Sequence, residues 1–205
     1  MKPVLFYIHD PMCSWCWGFT QTLNKLLEHL PEDIEVKRLL GGLAPDTDIP
    51  MPESMQEYVK SNWLRIEDTI PGIKFNFDFW SENTPRRSTY PACRAVIAAR
   101  QQGDKYDVLM TKKIQQAYYR QARNPSDDNV LIELAGELGM DVNLFTETYY
   151  SGKSDQILNA EIGQCREMFV ESYPSLVLME DRKITNINID YNYYNIMCEQ
   201  IENLI

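Results

Sequence analysis

The sequence predicts an α/β fold in which a β-α-β unit and a β-β-α unit are separated by a long, mostly helical insertion. Three observations predict it: a strand, helix and strand pattern between Val4 and Leu40; a train of helix-period segments after a proline-rich linker; and two β-rich runs followed by a short amphipathic helix. The first and last blocks, residues 1–50 and 172–205, form one discontinuous domain on this reading, and residues 51–171 form the insertion.

Val4 to Ile8 is a short apolar run that Asp10-Pro11 ends. Phe19, Leu23, Leu26, Leu27 and Leu30 then recur at helical spacing, which puts them on one face of a helix closed by Pro31. Ile34 to Leu40 alternates and is β-rich, and Gly41-Gly42 stops it. A helix-length connection between two such strands is the crossover of a parallel pair, which is almost always right-handed.

Pro45, Pro50 and Pro52 mark the linker. Helices are expected over Glu53–Asp68, Tyr90–Gln102, Asp104–Gln121, Ser126–Leu138 and Asp141–Tyr150, with Ser126 and Asp141 as N-caps. Within the insertion, Ile73–Trp80 alternates apolar and polar residues and is expected to be extended. A further helix, Ser154–Phe169, leads to Tyr173-Pro174. Ser175–Met179 and Lys183–Ile189 read as a hairpin turning at Glu180-Asp181-Arg182, and Tyr193–Leu204 as the closing helix.

Composition narrows the function. Thirty acidic against 20 basic side chains in 205 residues give a net charge of −10, which repels a phosphate backbone and argues against a nucleic-acid partner. No apolar run approaches the roughly 18 residues of a membrane span, so a soluble protein without a membrane partner is expected. Met1 to Ile8 reads as a strand, not a targeting segment. Five cysteines, at 13, 16, 93, 165 and 198, are odd in number and sparse, which favours a reducing, cytoplasmic compartment over a secreted disulfide framework.

Cys13-Ser14-Trp15-Cys16 carries the chemistry. Two thiols separated by two residues, at the start of a helix that follows a strand, make a redox pair. One helical turn brings them within disulfide reach, and the helix N-terminus offers unpaired N–H groups and a positive dipole end to the first sulfur. Two other readings compete. A structural zinc site needs four ligands, and the chain has no second Cys-x-x-Cys and only His9 and His29. Two inert buried thiols would make the motif accidental. Neither explains its placement between strand and helix, so no metal and no organic cofactor is expected.

Together, Asp10-Pro11-Met12-Cys13-Ser14-Trp15-Cys16-Trp17-Gly18-Phe19, Tyr90-Pro91-Ala92-Cys93-Arg94-Ala95 and Tyr173-Pro174-Ser175-Leu176-Val177-Leu178 resemble the DsbA-like branch of the thioredoxin superfamily, within it the cytosolic protein-disulfide isomerase group. The resemblance implies a thioredoxin fold with a helical insertion and thiol–disulfide oxidoreductase or isomerase activity on protein or small dithiol substrates. It implies that Cys13 attacks, Cys16 resolves and Pro174 faces them as a cis-proline. The backbone of Tyr173 would pair with an extended substrate, and a thioredoxin or glutathione system would serve as reducing partner. Two alternatives belong to the same superfamily: a non-catalytic adaptor or redox-sensing module, and a glutathione-dependent isomerase or transferase, which usually has serine at the position of Cys13.

The remaining residues receive plainer expectations. Trp15 is expected to stand exposed as a substrate platform, since the middle of the motif must remain accessible. Cys93, Cys165 and Cys198 fall at helical spacing with apolar neighbours and read as buried structural thiols. Arg86-Arg87 reads as a solvated pair, His9 as a structural histidine, and Asp10 as an exposed, screened charge beside the motif.

Overall fold

A computed structural model describes residues 2–205; Met1, the first residue of the N-terminal segment, lies outside them. The chain enters through β1 (Val4–His9), α1 (Ser14–Glu28) and β2 (Glu35–Leu40). The insertion follows as α2 (Glu53–Thr69), α3 (Phe79–Glu82), α4 (Tyr90–Arg100), α5 (Lys105–Gln121), α6 (Asp128–Glu137), α7 (Val142–Tyr149) and α8 (Gly152–Glu167). The chain closes with β3 (Ser175–Glu180), β4 (Lys183–Ile187) and α9 (Tyr194–Glu202).

The four strands form one mixed sheet in the order β2-β1-β3-β4. β1 runs parallel to β2 and antiparallel to β3, and β3 and β4 form an antiparallel hairpin. This is a thioredoxin fold with a helical insertion. The period-2 alternation of a strand explains how β1 serves both faces. Leu5 and Tyr7 join Phe19, Leu23 and Leu26 of α1 and Met197 and Ile201 of α9. Phe6 and Ile8 join Leu39, Val177, Cys165 of α8 and Met168, which caps that helix. Full burial of such apolar side chains stabilises by about 1.5–3 kcal/mol each. α8, though contiguous with the insertion, therefore covers one face of the sheet.

The insertion has its own core around Trp63, whose ring stacks on Phe75 at 4.8 Å and meets Tyr118 and Tyr119 edge-on. Met12 and Leu40 belong to the same cluster, so the turn before α1 and the end of β2 are packed by insertion side chains. A charged array reinforces the join. Arg38 of β2 binds Asp107 of α5 at 2.7 Å, Arg100 of α4 pairs with both Asp107 and Glu161 of α8, and Glu161 accepts the Leu40 N–H at 2.7 Å.

Four local expectations are corrected. Residues 73–76 leave the helical path but pair with no strand, and Phe79 begins a short helix; the alternation serves to bury Ile73, Phe75 and Phe79 against Trp63. The N-cap of α6 is Asp127, because the Ser126 hydroxyl is spent on the Ser88 carbonyl at 2.7 Å. Asp141 does cap α7, accepting from the N–H groups of Asn143 and Leu144 at 3.0 Å. α8 starts at Gly152 and ends at Glu167, and β4 ends at Ile187 rather than Ile189. Among the described residues no helix is long and apolar enough to cross a membrane.

Candidate active site

The sequence signal lies where β1 ends and α1 begins. Cys13 is the N-cap of α1, with extended backbone (φ −80°, ψ 114°), and its sulfur accepts the Cys16 N–H at 3.2 Å. A side chain at this position satisfies one of the orphan donors of the first helical turn, and here that side chain is the thiol. The preceding turn is closed by the Cys13 N–H donating to the Asp10 carbonyl at 3.0 Å. Cys13 keeps 6% of its surface exposed and Cys16 none. Burial pushes the Cys16 thiol well up, and the hydrogen bond and charge of Cys13 push the same way. Cys16 is therefore held as a thiol.

Tyr173 faces the motif from the loop before β3. Its carbonyl lies 3.4 Å from the Cys13 sulfur, which donates to it, and the Tyr173–Pro174 peptide is cis. The phenol, pushed up to about 12 by burial, donates to the Gly41 carbonyl at 2.7 Å. Gly41 in turn is fixed to β1, its N–H donating to the His9 carbonyl at 2.8 Å. A Cβ on Gly41 would lie 2.1 Å from the Tyr173 ring, so only glycine leaves that ring its place.

Asp10 departs from expectation. Its side chain is fully buried, with Oδ1 accepting the Met12 N–H at 2.8 Å and Oδ2 accepting the Leu43 N–H and the Thr89 hydroxyl, both at 2.7 Å. The Cys93 thiol approaches Oδ2 at 3.5 Å. Burial raises the carboxyl and these donors oppose the rise. A short-range sequence signal existed in Asp10-Pro11, a turn former that caps its own backbone two residues on. Thr89 and Leu43, far along the chain, carried none.

The comparisons with known proteins agree with this fold. A thioredoxin family model matches residues 6–200. The chain belongs to that family. A solved structure from Nitrosomonas europaea, described as a "putative protein disulfide isomerase", superimposes with a TM-score of 0.84 at 26% identity, covering 99% of this chain and 97% of that one. The cytosolic disulfide reductase DsbM from Pseudomonas aeruginosa shares the fold with a TM-score of 0.77 at 22% identity, covering 98% of each chain. The same protein solved with GSH gives 0.75 at 20% identity over 98% of each. By sequence the chain is also similar to a ClpXP adapter protein, SpxH, from Halalkalibacterium halodurans, 25% identical over 211 residues, spanning all of this chain and 68% of that protein.

Trp15 is neither free nor buried. Its ring packs on Tyr191 at 4.9 Å, lies under the Arg65 guanidinium of α2 at 5.6 Å and touches the insertion core, so the expected free-standing platform is instead a half-buried wall. Arg86 is not a solvated residue either: it binds Asp127 at 2.6 Å and the Ser126 carbonyl, while Arg87 beside it is exposed. His9 is the structural residue expected. It is fully buried, stacked on Tyr7 at 4.8 Å, and its pKa is lowered well below 6.5, first by burial and then by Arg38 and Arg100. Cys93 and Cys165 are buried, whereas Cys198 is only half-buried. Among the described residues no group of three or more metal-type ligands assembles.

Proposed function

We propose that this protein is a thiol–disulfide oxidoreductase of the disulfide reductase or isomerase kind, with Cys13 as nucleophile and Cys16 as resolving thiol. One observation carries the reading: Cys13 caps α1 and faces the carbonyl before Pro174, while Cys16 sits fully buried behind it with its proton held on. Cys13 sulfur attacks a substrate disulfide, forming a mixed disulfide and expelling one substrate thiolate, which takes up a proton. Cys16 then gives up its proton and attacks Cys13, which releases the second substrate thiol and leaves a Cys13–Cys16 disulfide. A low-mass thiol or a dithiol protein, as in the glutathione or thioredoxin systems, supplies the two electrons that restore the pair. No organic cofactor is needed. The Tyr173 backbone lines the approach to Cys13 and receives an extended substrate, and Trp15 forms its wall. The description of DsbM as cytosolic supports a cytoplasmic location, and its structure with GSH and the adapter name of SpxH support thiol or protein partners.

The curated relatives favour a second reading, an adaptor that uses the same surface to hold a protein client. Thiol trapping separates the two. Under the enzyme reading, Cys16→Ala accumulates mixed disulfides with clients, Cys13→Ser captures none, and the native chain reduces insulin with dithiothreitol. Equal capture by both variants, or no turnover by the native chain, overturns it in favour of the adaptor.

A further inference from the structure

The surface beside Cys13 has a charge character that the chain as a whole does not. A pocket of about 180 Å³ opens next to the thiol, bounded by Trp15, Tyr58, Asn62, Arg86, Arg87 and Tyr173 among others. Its lining holds two arginines and no acidic side chain, in a protein with 30 acidic against 20 basic residues. The two arginines differ. Arg86 is neutralised by Asp127 at 2.6 Å. Arg87 is exposed and has no ion pair among the described residues, so its charge is uncompensated at the pocket. A second guanidinium without an ion pair among the described residues, that of Arg65, lies over the ring of Trp15, one of the pocket's walls, at 5.6 Å.

We propose that this pocket selects low-mass disulfides that carry carboxylates, with Arg87 as the residue that reads the charge. The proposal rests on the thiol–disulfide reading above and names its substrate class. An uncompensated cation in a concave site, on a protein whose net charge is negative, focuses the local field and raises the concentration of anions there. The carboxylate of a bound disulfide meets Arg87 while its sulfur meets Cys13. The pocket's volume admits groups of side-chain size, which fits a small molecule better than a folded partner. Electrons and atoms balance as before: the disulfide gains two electrons and two protons and leaves as two thiols, and dithiothreitol supplies both as it closes to its cyclic disulfide.

The test uses the full chain with dithiothreitol and three disulfides of similar size: 3,3′-dithiodipropionate (dianionic), bis(2-hydroxyethyl) disulfide (neutral) and cystamine (dicationic). We expect kcat/KM to fall in that order, with the anionic preference shrinking as salt is raised. Arg87→Gln should lose roughly three- to tenfold on the dianion, mostly through KM, and leave the neutral disulfide unchanged; Arg87→Glu should reverse the preference. Arg87 is exposed, so both variants fold, and Arg65→Gln should give a smaller loss of the same sign. Equal kcat/KM for all three compounds, or an Arg87→Gln loss that is equal across them, overturns the proposal. Insulin serves as the protein arm: an Arg87→Gln loss as large on insulin as on the dianion overturns the low-mass assignment. Failure to reduce any disulfide defeats the thiol–disulfide reading itself, and this proposal with it.

Discussion

Gly41→Ala tests whether the strand end and the loop before β3 act as one unit. The new Cβ would lie 2.1 to 2.6 Å from three atoms at the end of the Tyr173 ring. The backbone of residue 41 cannot retreat, because its N–H is bonded to the His9 carbonyl at 2.8 Å, so the ring must swing out. It then loses its hydroxyl bond to Gly41, worth about 0.5–1.5 kcal/mol, and incurs an overpacking cost of about 1–3 kcal/mol. A total of roughly 2–4 kcal/mol lowers Tm by about 4–16 °C in a domain of this size. The Tyr173 carbonyl faces Cys13 at 3.4 Å, so a displaced Tyr173 should also slow insulin reduction roughly tenfold at temperatures where the variant is folded. A double-mutant cycle decides the cause. In a Tyr173→Ala background the clash partner is gone, and Gly41→Ala should then cost at least about 1 kcal/mol less than in the native chain. Additivity of the two substitutions within about 0.5 kcal/mol would refute the coupling.

Three further perturbations probe the frame of the site. His9 has a folded pKa below its unfolded value, so its stability contribution is complete above about pH 6.5 and is lost as pH falls below that, approaching about 1.4 kcal/mol per pH unit. Urea midpoints from pH 7.5 to 5 should therefore drop more steeply for the native chain than for His9→Phe, and parallel curves would show that His9 is not the group responsible. Arg182 holds φ +69° in the β3–β4 turn, where glycine is unstrained, so Arg182→Gly should raise Tm by roughly 1–3 °C; a fall would mean the side chain contributes more than the strain costs. Asp141→Ala removes the cap of α7 and should cost about 1 kcal/mol by thermal or urea unfolding, with no change expected in thiol–disulfide turnover.

The parts of the molecule that could be read from the sequence are those whose causes are local. The apolar stripe Phe19, Leu23 and Leu26 and the alternation in β1 state their faces directly, because a helix or strand exposes its period to a single reading frame. The motif at Cys13 and Cys16 is legible for the same reason: spacing and helix start are both short-range. What stayed hidden depends on distant partners. Ile73–Trp80 alternates like a strand, yet among the described residues no strand lies beside it, and Trp63 and Tyr119 take apolar residues such as Phe75 instead. Arg86 looks like surface charge until residues 126 and 127 are folded against it.

Asp10 shows how such long-range contacts bear on the chemistry. A carboxylate removed from water is costly unless charge-assisted donors replace the solvent, and here they come from three parts of the chain: Met12 in the turn itself, Leu43 after β2, and Thr89 before α4. Those segments are in turn tied to the insertion and to one another. Met12 and Leu40 pack into the insertion core, and the Thr89 N–H and hydroxyl both meet the Ala44 carbonyl, at 3.0 and 3.3 Å. The carboxylate can keep its partners only while sheet and insertion stay docked, and the turn that presents Cys13 keeps its shape only while Asp10 keeps its partners. The insertion is therefore coupled to the Cys13–Cys16 motif through one buried side chain, in addition to walling the pocket beside it.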